Sequence, residues 1–158
     1  MEKLIAIGLG VGDAAGDSPF LYQLAVTAFH AFVHEAAGGG IPLPEPVRRV
    51  LEIIERHYAE PLTVAGVARE AGVSVNHLIK LFRRHCGETP AEYLWNLRVD
   101  RGLRLLQETG LGVGEIAYRT GFQNQFHFSR RVRKRHGLPP RSLRERWWRR
   151  NKTRQSTP

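Results

Sequence analysis

Ile116-Ala117-Tyr118-Arg119-Thr120-Gly121-Phe122 repeats a pattern set 49 positions earlier by Val67-Ala68-Arg69-Glu70-Ala71-Gly72-Val73. In each stretch a β-branched residue and an alanine are followed, after three intervening residues, by glycine and an apolar residue. That spacing predicts the corner of a helix-turn-helix. The small alanine lets two helices approach closely, the glycine supplies the positive φ of a tight turn, and the apolar residue plugs the corner. After the turn the offset becomes 50, so the second turn is one residue longer. Leu78 and Phe82 then match Phe128 and Val132, the inward stripe of the helix that follows. Lys80, Arg83 and Arg84 match Arg130, Arg133 and Lys134, a basic face. The units also end alike, His85-Cys86-Gly87-Glu88-Thr89-Pro90 against Arg135-His136-Gly137-Leu138-Pro139-Pro140.

Working outward from the repeat, every segment from residue 45 onward has helical period. Val47, Val50, Leu51, Ile54 and Tyr58 define a helix that Glu60-Pro61 ends. Thr63 is the expected N-cap of the next helix and Ser74 of the one after, which runs to about His85. Thr89-Pro90 opens a long helix to about Gln107, with Leu94, Leu97, Leu103 and Leu106 on one face. Short helices are expected over 115–120 and 140–148, and a longer one over 124–136. No alternating strand pattern occurs between residues 45 and 150. The expected fold is all-α: two helix-turn-helix subdomains, about 62–87 and 114–137, joined by a linker helix over 90–107.

Residues 1–42 read as a separate piece. Phe20–Ala37 reads as a mostly apolar helix, opened by Ser18-Pro19 and closed by Gly38-Gly39-Gly40. It is expected to be a linker or the remnant of a sensor domain, able to mediate weak dimers. The glycines at 8, 10, 12 and 16 lack the Gly-Lys-Ser/Thr ending of a phosphate loop. The tail over 149–158 is basic and is expected to be disordered.

The 158 residues carry 24 Lys and Arg against 15 Asp and Glu, a net charge of +9. Residues 1–42 hold Lys3 against Glu2, Asp13, Asp17 and Glu35. They contribute −3, and +12 therefore falls on 43–158. A basic domain beside a mildly acidic segment suggests a polyanionic partner for the basic part alone. No apolar run reaches the ~20 residues of a membrane span, and a cytoplasmic, nucleoid-associated location is expected. Cys86 is the one cysteine, which rules out an internal disulfide. The histidines lack metal-ligand spacing, and no Ser/His/Asp set or carboxylate pair suggests catalysis. No metal or cofactor is expected.

These residues resemble the DNA-binding region of the AraC/XylS family of bacterial transcription regulators. The likeness rests on Leu62-Thr63, Ser74 with Leu78, Lys80 and Phe82, Gly87-x-x-Pro90, Tyr93-Leu94, Arg98 and Leu103 to Leu106. Its most specific string is Ile116-Ala117-x-x-x-Gly121-Phe122-x-x-x-x-x-Phe128-Ser129-Arg130, with Gly137-x-x-Pro140 after it. It covers about residues 45–148. The family usually has an aromatic where Val132 stands, Tyr at Leu143 and Ala at Gly102. The glycine should cost about 1 kcal/mol of helix propensity.

The resemblance implies double-stranded DNA as partner, RNA polymerase contacted beside the operator, and two recognition helices in successive major grooves. It points Asn76, Ile79, Lys80, Gln125 and Phe126 into the groove. The helical faces extend the candidate DNA-binding set to Val75, Arg83, Asn124, His127, Arg130, Arg131 and Lys134. By donor and acceptor pattern, Asn76 and Gln125 suit adenine, Arg130 suits guanine, and Ile79 suits a thymine methyl. A competing role for Arg130 is an ion pair with Glu115. Cys86 reads first as a small residue at a helix end; the competing reading is a reactive thiol whose pKa the basic neighbours Arg83, Arg84 and His85 would lower, as in an alkyl-transfer enzyme carrying this module. A generic basic nucleic-acid binder is the other competing reading.

Overall fold

The computed structural model describes residues 43–155, which lie in a compact unit beginning at Leu43. The expected N-terminal helix over Phe20–Ala37 lies outside the described residues. Helices α1 (Glu45–His57), α2 (Val64–Glu70), α3 (Val75–Cys86), α4 (Pro90–Glu108), α5 (Val113–Arg119), α6 (Gln125–His136) and α7 (Pro140–Gln155) follow in order. No strand occurs among the described residues.

Capping chemistry sets the boundaries. The Thr63 hydroxyl accepts from the Gly66 amide and starts α2. Ser74 does the same for α3 through the His77 amide. At α4, Thr89 and Glu92 form a reciprocal capping box, so two otherwise orphaned amides are satisfied. α1 stops at His57, short of Glu60-Pro61, and α5 begins at Val113, two residues before the expected start. The expectation of a disordered tail from Arg149 is corrected: α7 continues to Gln155. Pro140 starts this helix, and after it no proline or glycine interrupts the sequence before Gln155.

α4 is shared by two cores. Its first half contributes Leu94 and Leu97 to a cluster with Val47, Val50 and Ile54 of α1, Val67 and Ala68 of α2, and Leu78 and Phe82 of α3. Its second half contributes Val99, Leu103 and Leu106 to a cluster with Ile116 and Ala117 of α5, Phe128 and Val132 of α6, and Leu143 and Trp147 of α7. Each fully buried side chain of this size contributes about 1.5–3 kcal/mol by leaving water. Val132 and Leu143 are buried despite departing from the family's usual aromatics.

Two arginines, one buried and one half-buried, close helix ends. Arg98 of α4 donates from Nε to the Tyr58 carbonyl at 2.6 Å and from Nη2 to the Glu60 carbonyl at 2.7 Å, just past the end of α1. Arg144 of α7 donates to the carbonyls of Leu106 and Leu111, at the end of α4. Cations placed there satisfy free carbonyls and oppose the negative end of the helix dipole.

Gly102 has a tertiary reason. A Cβ at this position would lie 2.6 Å from Cε2 of Phe128, a ring that is itself fully buried. The glycine on α4 is the space that the larger aromatic of the second unit occupies.

Candidate nucleic-acid interface

The turns behave as their sequence requires. Gly72 has φ 70° and Gly121 has φ 81°, so both occupy the left-handed region that an L side chain enters at a cost. The amides of Val73 and Phe122 bond back to the carbonyls of Ala68 and Ala117, the matching alanines of the repeat. Phe122 fills its corner completely, while the smaller Val73 is half-buried. α3 and α6 are then held by their inward stripes, Leu78 and Phe82 on one, Phe128 and Val132 on the other.

On α3 the side chains of Val75, Asn76, His77, Lys80, Arg83 and Arg84 are exposed, and Ile79 is half-buried. On α6 the exposed set is Gln125, Phe126, Arg130, Arg133 and Lys134. Phe126 is an aromatic left 69% exposed, which is unusual for so large an apolar group. Arg84 and Arg133 were not among the sequence candidates. The repeat register could have found them, because they share their positions with the named Lys134 and Arg83.

Three candidates have other work. The Asn124 carboxamide oxygen accepts from the His127 amide at 2.9 Å and caps α6, as Ser74 caps α3 at the same repeat position. The His127 ring packs 4.6 Å from Trp95 and 5.3 Å from Phe122. Burial, then the nearby charges of Arg131, Arg130 and Arg98, pull its pKa below the usual histidine value and favour the neutral ring. The Arg131 guanidinium lies 5.4 Å from the centre of the Trp95 ring. His127 and Arg131 thus both pack on Trp95 of α4. The alternative pairing of Arg130 does not form, since Glu115 binds Arg119 at 2.8 Å.

The Cys86 thiol shifts opposite to what the reactive-thiol reading requires. Burial, reinforced by Glu88, pushes its thiol up to about 11. Among the described residues no group of His, Cys, Asp and Glu side chains could hold a metal ion, and no helix is long and apolar enough to cross a membrane.

A family profile described as a helix-turn-helix domain matches residues 67–146. Among curated proteins, the chain is 41% identical over 147 residues to the HTH-type transcriptional regulator GlxA of Rhizobium meliloti (strain 1021), covering 92% of this chain and 45% of that one. It is 33% identical over 99 residues to the HTH-type transcriptional activator RhaS of Salmonella schwarzengrund (strain CVM19633), 63% of this chain and 36% of the relative. The chain thus spans less than half the length of these curated relatives. Among solved structures, an AraC-type transcriptional regulator from Chromobacterium violaceum superposes with a TM-score of 0.60 at 30% identity, covering 65% of this chain and 91% of the other. The DNA-binding domain of AdpA, a global transcriptional factor solved with a target DNA, gives 0.63 at 27% identity over 68% and 96%. The repeat, the paired turns and these matches agree: the chain belongs to the AraC/XylS family of helix-turn-helix transcription regulators.

Proposed function

We propose that residues 43–155 read a specific operator for a transcription regulator, with α3 and α6 entering successive major grooves on one side of the duplex. The observation that carries this reading is the pair of matched exposed faces. Lys80, Arg83 and Arg84 on α3 recur as Arg130, Arg133 and Lys134 on α6, each beside groups able to touch base edges. Those groups are Val75, Asn76 and Ile79 on α3 and Gln125 and Phe126 on α6. The cations supply phosphate attraction and register, and the neutral groups supply sequence preference. A DNA complex of a similar domain supports the choice of partner.

The domain acts by binding and not by catalysis, and the relatives' names, all regulators, favour that. It works in the cytoplasm, next to the nucleoid. A single chain reads two unlike sub-sites, so a dimer is not required for recognition. Contact with RNA polymerase beside the operator is the route to activation, and the RhaS relatives are named as activators.

Selection of bound sequences from a random DNA pool, followed by competition against unselected DNA, tests the reading. A preference of about 10³-fold or more is expected. Lys80→Ala and Arg130→Ala should each weaken the selected site by about 1–3 kcal/mol. Equal affinity for selected and unselected DNA would identify a generic basic binder instead.

A further inference from the structure

Two helix-turn-helix units that share one helix can still twist against each other unless something ties them directly. Two sets of contacts do so, on opposite sides of α4. On the first side is Arg98, whose guanidinium is almost fully buried against the carbonyls of Tyr58 and Glu60 and lies 4.7 Å from the centre of the Trp95 ring. The turn glycine of the second unit sits against the same place. A Cβ on Gly121 would be 2.8 Å from the Ala59 carbonyl oxygen and 2.9 Å from Nε of Arg98. The turn of one unit therefore rests on the loop that leaves α1 in the other.

On the second side is Arg135, near the end of α6. It pairs with Asp100 at 2.9 Å and donates to the Asn96 carbonyl at 3.1 Å. The Asn96 carboxamide in turn donates to Glu88 at 2.6 Å, and Glu88 lies in the loop leaving α3. Asn96 and Asp100 are four residues apart and share a face of α4, while Arg98 between them is about half a turn away. Burial raises the pKa of both the Glu88 and the Asp100 carboxyl.

We propose that this two-sided clamp is a spacing gauge: Arg135 and Asn96 are positioning residues that fix the end of α6 relative to the loop leaving α3, and thereby select operators by the distance between their two sub-sites. The proposal rests on the operator reading above. It adds that the chain discriminates by spacing as well as by base sequence. One inserted base pair moves a sub-site by about 3.4 Å and rotates it by about 35°. A clamped pair of helices can follow that displacement only by giving up contacts at one sub-site. A hinged pair can follow it at lower cost.

The test has two arms, both on the full chain. In the first, spin labels are placed through His77→Cys and Arg133→Cys in a Cys86→Ser background, without DNA, and the distance distribution is read by pulsed electron resonance. The parent should give a narrow distribution, and Arg135→Ala should broaden it. In the second, unlabelled chains bind the duplex selected from the random pool and versions with one base pair added between the sub-sites. The unaltered chain should lose about 100-fold on the insertion, and Arg135→Ala only about tenfold. Asn96→Ala, which leaves the Arg135–Asp100 pair in place, serves as a milder second variant in both arms, and thermal melts confirm that each variant is folded. An unchanged distance distribution, or an unchanged insertion penalty, in both variants overturns the clamp. A broadened distribution with no preference for the selected duplex leaves the clamp standing and overturns the operator reading.

Discussion

The first and second helix-turn-helix units share a plan and differ in what fills it. In the first, α3 buries Leu78 and then Phe82; in the second, α6 buries Phe128 and then Val132, so the large and small residues exchange places. The first core is mostly aliphatic, with Phe82 edge-on to Tyr93 at 5.7 Å. The second is aromatic, with Phe122 in contact with Phe128, Trp95 and His127. The cations differ too. α6 carries Arg131 and Arg135 where α3 has Leu81 and His85. Both extra arginines are engaged, one over Trp95 and one on Asp100. Subtracting them leaves each recognition helix with matching exposed cations. The greater positive charge of the second unit is thus largely structural, and the two surfaces proposed to face DNA are more alike than their sequences.

The sharpest way to break this comparison is to exchange the residues that fill the cores. Phe128→Ala should destabilise the domain by about 3–5 kcal/mol, because a fully buried ring is removed from a close-packed site. Gly102→Ala should cost about 1–3 kcal/mol by overpacking, although alanine is the better helix former. Adding Phe128→Leu to Gly102→Ala should recover part of that loss, since the new methyl takes the space the ring vacates. Chemical denaturation of Gly102→Ala, of Phe128→Leu and of the double variant gives the coupling. Strict additivity would show that the ring and the glycine do not fit one another as described.

A smaller effect tests the caps. Ser74→Ala and Asn124→Ala should each cost about 1 kcal/mol of thermal or denaturant stability, because each removes a side-chain acceptor for a helix's first amides. If Asn124 were mainly a base reader, its replacement would change operator preference and leave stability untouched.

Much of this was legible before the structure. The repeat of Val67-Ala68 to Gly72 in Ile116-Ala117 to Gly121 set the turns, and Thr63, Ser74 and Thr89 announced their helices, because these are local rules of backbone chemistry. The role of Asn124 was also present in the register, one unit on from Ser74, but its carboxamide suits a base edge as well as an amide. Gly102 was unreadable as anything but a weak point in a helix. Its meaning lies in Phe128, 26 positions away and on another element. Arg98 likewise entered only as part of the family resemblance, and only tertiary packing shows it buried on the carbonyls past α1. Burial also reversed the shift that a reactive Cys86 requires, which charge-counting along the chain could not anticipate.

The finest distinction between the units concerns neighbouring arginines on α6. Arg133 is exposed and has Arg83 as its counterpart, whereas Arg131 lies over Trp95 at the position where α3 has half-buried Leu81. Only cations that neutralise phosphates release counterions on binding, so only they set the dependence of affinity on salt. Arg133→Ala should therefore reduce the slope of log affinity against log salt by about 1, and Arg83→Ala should do the same. Arg131→Ala should leave the slope nearly unchanged and lower thermal stability slightly through the lost ring contact. Titrations of the selected duplex at several salt concentrations separate these cases. A slope change for Arg131→Ala equal to that for Arg133→Ala would place both guanidiniums on the phosphates and remove the symmetry between the two faces.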